Sequence, residues 1–261
     1  MAKRIVLACM DRRLNAHLDE NYNDGNTLFL RNAGANAHCL LQSIGNAVNS
    51  GEIDSIVVLG HTDCGAMKVV FDAIVNRNGS YCNGIRDKIV NLFEDYGYLK
   101  HAGERLQGLD PVQRSRAEAS VRRRLEKRNV DLQVGFLKGL TRSFPHVKVE
   151  GSLVDLKKIN ALNLTGNGRH AIVLSRECGS RFDRMCSIAN TDPHETYVLE
   201  SRDIKETITD LQLAVEVLHI RDIRLVAPDS ALKDGLASDL EFLKGMSSGF
   251  LKGSDIAIAQ A

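Results

Sequence analysis

The 261 residues carry 34 Lys and Arg against 33 Asp and Glu, a formal net charge of +1, and 43% of them are apolar. That balance gives no global attraction to nucleic acid or to a membrane surface, and no apolar run reaches the eighteen residues a membrane helix needs. The length suffices for one large domain or two small ones.

Residues 3–8 read as a strand, Ile5-Val6-Leu7-Ala8, ending in Cys9-Met10-Asp11-Arg12-Arg13. The basic start and short apolar run fall short of a signal peptide, so a cytoplasmic protein is expected. Residues 14–22 are polar and helical. Thr27 to Leu30 is a second strand, ending in Arg31-Asn32-Ala33-Gly34-Ala35. Residues 37–50 have helical spacing (Leu40, Leu41, Ile44, Val48), closed by Gly51 as a C-cap. Ser55 to Leu59 is a third strand, and it runs through Gly60 into His61-Thr62-Asp63-Cys64-Gly65. Strands alternating with helices predict a parallel α/β sheet with right-handed crossovers.

Residues 67–75, 85–96 and 112–140 have helical character, with a Gly/Asn-rich loop at 76–84. Arg122-Arg123-Arg124, interspersed with Glu118 and Glu126, reads as a solvated helix face rather than a nucleic-acid patch. Val147 to Val154 is a fourth strand. Residues 163–168 are the best linker. Beyond it the order starts again. Ala171 to Ser175 echoes the first strand, Tyr197 to Leu199 the second, and Ala214 to Val226 the helix and third strand. Phe242-Leu243-Lys244-Gly245 repeats Phe136-Leu137-Lys138-Gly139, and Asp255 to Ala259 serves as the last strand. The offset stays near 167 residues and then falls to 106, as if the copy lacked the helical insert. This regular succession suggests internal duplication, with domains at 1–164 and 168–261.

Six cysteines without a secretory signal point to metal binding or burial rather than a disulfide framework. Cys9, His61 and Cys64 stand where strands one and three end. Carboxyl ends of neighbouring parallel strands lie side by side, so the three can converge. Thiolate, imidazole and thiolate are zinc ligands, and three protein ligands leave the fourth position for water. Zinc can lower the pKa of that water to about 7 and supply hydroxide. Two thiolates make the ion a weaker Lewis acid, and Asp11 is placed to compensate. Arg13 can hold it ionised in a bidentate pair, so that it accepts a hydrogen bond from the water. The same carboxylate could instead take the fourth position and shut the site. A structural zinc would need a fourth ligand, for which His38 and Cys39 are the candidates.

With these residues together, Cys9-Met10-Asp11-Arg12-Arg13, Arg31-Asn32-Ala33-Gly34 and His61-Thr62-Asp63-Cys64-Gly65 resemble the three motifs of the beta-class carbonic anhydrases, in their short, archaeal-type branch. Asn129-Val130 with Gln133, and Glu150 to Asp155, are similar to the family's later helix and strand. The resemblance spans about residues 4 to 155. It implies zinc on Cys9, His61 and Cys64, an Asp11–Arg13 dyad at the water, and reversible hydration of CO2 to bicarbonate. Substrate contacts are implied at Gly34 and Gly65, the latter through backbone amides. Family sites lie at dimer interfaces. Members carry an N-terminal helical arm that wraps a partner, whereas the sequence here opens on its expected first strand.

The apparent copy keeps strands but not ligands. Without a gap, Cys9, Asp11, Arg13, His61 and Cys64 align with Arg176, Cys178, Ser180, Pro228 and Ala231. Proline and alanine offer a metal nothing. The expectation is a metal-free second half packed on the first as a pseudo-dimer across a pseudo-two-fold axis, walling one side of the zinc pocket, with further homo-oligomers open. Two other functions fit the same residues. One is hydrolysis of a linear CO2 analogue, carbon disulfide or carbonyl sulfide. The other is a non-catalytic zinc-bearing binding or shell protein, for which a water-activating dyad has no use.

Overall fold

The computed structural model describes residues 4–76, 81, 83–159, 168–174, 182–201, 203–227, 233–246, 249, 251 and 253–260. The 163–168 linker, apart from Gly168, lies outside the described residues, as do Arg176, Cys178, Ser180, Pro228 and Ala231.

The first three strands are β1 (Arg4–Cys9), β2 (Thr27–Asn32) and β3 (Ser55–His61). They form because apolar, β-branched runs suit a sheet buried on both faces. Side chains alternate. Ile5 and Leu7 enter one core with α2 (Leu41–Asn49) and α6 (Pro111–Leu140), whereas Val6 and Ala8 enter the other with α1 (Asn15–Tyr22) and α3 (Gly65–Ile74). β4 (Lys148–Val154) pairs in parallel with β3 and completes the run β4-β3-β1-β2. Both β2 and β3 run two residues past their apolar cores, so Arg31, Asn32 and His61 are strand residues.

The segment between α3 and β4 departs from the sequence reading. The 85–96 stretch is not one helix. It comprises a turn α4 (Asn83–Ile85), a π-turn over Arg86–Val90 and a 3-10 turn over Asn91–Phe93. The change of pitch lets Ile85, Ile89, Val90 and Phe93 all reach the core. A further helix, α5 (Gly97–Leu106), buries Leu99, Ala102 and Leu106 at i, i+3 and i+7. α6 starts at Asp110, whose carboxylate accepts the N–H groups of Val112 and Gln113 at 2.9 Å each. It lays Glu126, Asn129, Val130, Gln133 and Leu137 toward the sheet. Glu126 is thus buried, not part of a solvated face as expected, while Arg123 and Arg124 are exposed. Gly60 permits this close approach: a Cβ there would sit 2.4 Å from Val130 Cγ2.

Then the order repeats: β5 (His170–Leu174), α7 (Phe182–Ile188), β6 (Thr196–Glu200), α8 (Ile208–Glu216), β7 (Asp222–Ala227), α9 (Lys233–Gly245) and β8 (Asp255–Gln260). Pairing within this set is parallel in the order β6-β5-β7-β8. β2 and β6 meet antiparallel, with Arg31 opposite Glu200, so one eight-stranded sheet runs β4-β3-β1-β2-β6-β5-β7-β8. Strand for strand, the second run mirrors the first about that junction. Local detail follows the same offset. The Asn36 side chain accepts the N–H of His38 ahead of α2, and Asp203 does the same for Lys205 ahead of α8, 167 positions on. One apolar core spans the junction, from Val6 and Phe29 to Phe182, Leu199 and Leu213. No described helix is long and apolar enough to cross a membrane.

Candidate metal centre

β1 and β3 are adjacent and parallel, so the chain leaves both at the same sheet edge. Cys9 closes β1, His61 closes β3, and Cys64 caps α3. The His61–Cys64 turn is tight. Asp63 sits in the left-handed region at φ +56, which aspartate tolerates better than most residues. Thr62 pins the turn from both sides, its N–H donating to Val154 O at 3.0 Å and its hydroxyl accepting from Leu156 N at 3.1 Å.

The three ligand atoms lie within 4.8 Å of one another and are buried. The Cys9 and Cys64 sulfurs are 4.0 Å apart. That is far beyond a disulfide bond but close to the span of two roughly 2.3 Å Zn–S bonds at a tetrahedral angle. His61 Nδ1 lies 2.9 Å from the Thr62 carbonyl, which can only accept, so Nδ1 carries a proton. Nε2 is buried without a hydrogen-bond partner. Backbone contacts that fix one ring nitrogen and leave the other bare are what a metal ligand requires. A soft, buried, three-donor set with an orphaned imidazole nitrogen fits zinc. His38 and Cys39 stand outside this group. His38 stacks on Phe136, and burial pushes the Cys39 thiol up to about 12.

In the metal-free protein the ligands share charge. A hydrogen bond from Cys64 and the charge of His61 hold the Cys9 thiol well below its usual range, while the same pairing and burial push Cys64 up. Burial opposes a charged His61, but the adjacent Cys9 outweighs it and raises the imidazole to about 9.

Asp11 and Arg13 form a bidentate pair: Nε donates to Oδ1 at 2.9 Å and Nη2 to Oδ2 at 2.7 Å. The Arg13 backbone N–H adds a third bond to Oδ1 at 3.0 Å. Burial alone would raise the Asp11 carboxyl, yet these bonds and the charges of His61 and Arg13 hold it at about 2. Oδ2 lies 3.8 Å from His61 Nε2. Arg13 Nη2 also donates to Asp63 O at 2.8 Å, tying the two ligand turns together.

A cavity of about 400 Å³ opens on these groups. Cys9, Asp11, Arg13, Asp63 and Gly65 line it from one side, and Tyr197, Leu213, Val217 and Leu218 of the second run line it from the other. Gly34 is one residue away from the lining Ala33. At φ +75, with Ala66 Cβ 3.2 Å from where its own Cβ would be, Gly34 makes a turn few other residues could make, and its carbonyl accepts from Asn129 Nδ2 at 2.7 Å.

Some contributors carry no motif. Glu126 accepts the Cys64 N–H at 3.3 Å, and its spacing of three and seven from Asn129 and Gln133 was the available signal. Asp210 accepts the Ala33 N–H at 2.6 Å, and burial pushes its carboxyl up to about 7.

Residues 4–154 match the family model for carbonic anhydrase. No curated protein matches the chain. Among solved structures, a tetrameric beta-carbonic anhydrase from Sordaria macrospora is similar at 17% identity, covering 60% of this chain and 77% of that one, with a TM-score of 0.44. The beta-carbonic anhydrase CafA of Aspergillus fumigatus is similar at 18% identity, covering 62% and 77%, with a TM-score of 0.43. The family match covers more than half of the chain and takes in Cys9, Asp11, Arg13, His61 and Cys64, so the chain belongs to the beta-carbonic anhydrase family.

Proposed function

We propose that the protein hydrates carbon dioxide reversibly to bicarbonate at a zinc site on Cys9, His61 and Cys64. The observation that carries this is the convergence of the three buried donors beside an ion-paired carboxylate on one cavity. Zinc, once bound, supplies a Lewis acid that ionises water near neutral pH.

The chain's own groups do the rest. Asp11, with both oxygens turned to Arg13, is an acceptor for a water in the cavity. At about 2 its carboxyl is too acidic to keep a proton at neutral pH, so it orients that water and passes no proton on. Charge on the bicarbonate oxygens develops near the amino end of α3, where backbone N–H groups from Gly65 onward and the helix dipole favour an anion. Ala33, Ala66 and Val69 with Leu213 and Val217 offer apolar walls to CO2. Arg12, Arg13 and Lys68 line the same cavity and favour an anionic product.

We further propose that residues 168–261 are a degenerate copy of residues 1–164 that takes the place of a partner subunit. The mirrored strand order and the four cavity residues drawn from the second run support this. Free, buried Cys9, Cys39, Cys64 and Cys186 support a reducing, cytoplasmic setting. Stopped-flow measurement with the zinc-loaded chain, run in parallel on CO2 and carbonyl sulfide, tests the substrate. Faster turnover of CO2 is expected. Turnover of carbonyl sulfide alone would reassign it.

A further inference from the structure

The segment from Met10 to Asn15 links a metal ligand to the Asp11–Arg13 pair, yet it lies beyond the last residue of β1. Something must fix its backbone if the site is to keep its geometry. The side chain placed to do so is Arg31. It projects from β2 and is fully buried. Its Nε and Nη2 donate to the Cys9 carbonyl at 3.1 and 3.0 Å. Nη2 also donates to the Asp11 carbonyl at 3.0 Å, and Nη1 to Asn15 Oδ1 at 2.8 Å. Burying a guanidinium is costly unless its donors are partnered. Here one planar fork spans the whole segment, which the point charge of a lysine cannot do.

The second run of strands holds the other side of this arrangement. The guanidinium carbon of Arg31 lies 4.7 Å from the centre of the Phe182 ring, and Glu200 is its partner across the β2–β6 junction. Asn15 Nδ2 donates to the carbonyls of Pro193 and Thr196 at 3.0 and 3.2 Å. Arg12 donates to the His194 carbonyl, and Val198 N–H donates to Met10 O at 3.0 Å.

We propose that Arg31 is a positioning residue, which sets the backbone of Cys9 and Asp11 and so relays to the metal centre the anchorage supplied by residues 182–200. It touches neither sulfur nor carboxylate oxygen in the described contacts and acts through the two carbonyls. The inference rests on the zinc reading of the site.

The test uses the full chain loaded with cobalt(II), whose thiolate charge-transfer and d–d bands report ligand geometry. The unmodified chain comes first: absence of thiolate–cobalt bands there sinks the zinc reading itself and not merely this inference. Given those bands, Arg31→Lys and Asn15→Ala are each expected to bind one cobalt per chain with shifted d–d bands. With zinc, kcat should fall roughly 10- to 100-fold, the order expected for an ångström-scale misplacement, while KM moves far less. Unchanged bands with kcat within about twofold overturn the proposal. So does a loss of kcat that merely tracks loss of folded protein while the bands stay put. Should Arg31→Lys not fold, Asn15→Ala decides alone, because it removes an Arg31 acceptor and the tie to Pro193 and Thr196 together.

Discussion

Replacing Arg13 by alanine isolates the role of the dyad. The change removes two hydrogen bonds to the Asp11 carboxylate, at 2.9 and 2.7 Å, and one to Asp63 O at 2.8 Å, leaving Asp11 with its backbone donor. Asp11 is 7% exposed, so little water replaces them. Its carboxyl sits at about 2 against an ordinary 3.8. At about 1.4 kcal/mol per unit, that depression is worth about 2.5 kcal/mol to the folded state. The folded value is the lower one, so this stability is fully present above pH 4 and is lost as pH falls toward 2. The His61 charge and the backbone N–H of residue 13 survive the change, so at neutral pH Arg13→Ala should lower Tm by several degrees, against roughly 5–10 °C for the whole depression at about 2–4 °C per kcal/mol for this size. The gap to the unmodified chain should close in strong acid. Zinc should stay, because none of its three ligands touches the Arg13 side chain in the described contacts, whereas kcat/KM should fall on the order of 100-fold as the acceptor loses its aim. Stopped-flow CO2 hydration, zinc content and thermal melting on one preparation read all three. Wild-type kcat/KM in a zinc-loaded Arg13→Ala protein would refute the role given to the pair.

Metal analysis should find one zinc per chain, lost in Cys64→Ser; a second ion that survives that substitution would contradict a metal-free second half. In the metal-free protein the neighbouring Cys9 and burial push the Cys64 thiol up, and Cys9, outweighing burial, raises the His61 imidazole to about 9. A metal takes thiolates and a neutral imidazole, so zinc uptake should release protons and weaken as pH drops, which calorimetry in buffers of different ionisation enthalpy checks; no buffer dependence counts against it. Gly60→Ala would place a Cβ 2.4 Å from Val130 Cγ2 and 3.3 Å from Leu153 Cδ1, an overpacking that should cost about 1–3 kcal/mol. Val130→Ala in the same chain should recover part of it, and a double variant no more stable than the single one would show the clash was misjudged. Residues 1–164 alone expose the β2 edge and the face under Phe182 and Leu213, so they should associate or unfold; a stable, monomeric, fully active fragment would refute the partner-domain proposal.

The convergence of Cys9, His61 and Cys64 was legible because two apolar runs each end in a side chain that can bind metal, and parallel neighbours deliver their ends to one edge. The order of strands and helices beyond residue 168 was legible as well. That the two runs join into a single sheet through β2 and β6 was not, because side-chain alternation is the same for a strand paired in either direction. Glu126 was misread for a related reason: within a run of arginines its chemistry says solvent, and only the packing of α6 shows it at the Cys64 N–H. Arg31 belonged to a motif, but its work is done through backbone carbonyls, which leave no trace in side-chain spacing. α5 was passed over because three buried residues in a polar stretch make a faint stripe.

The central claim is that this site interconverts carbon dioxide and bicarbonate. Its most direct measurement is the loss of oxygen-18 from labelled CO2 at chemical equilibrium, followed by mass spectrometry with the zinc-loaded full-length chain. Label loss should far outpace the buffer alone, fall to the buffer rate when zinc is chelated, and return when zinc is restored. Loss at the buffer rate from a protein that metal analysis shows to hold zinc would contradict the account.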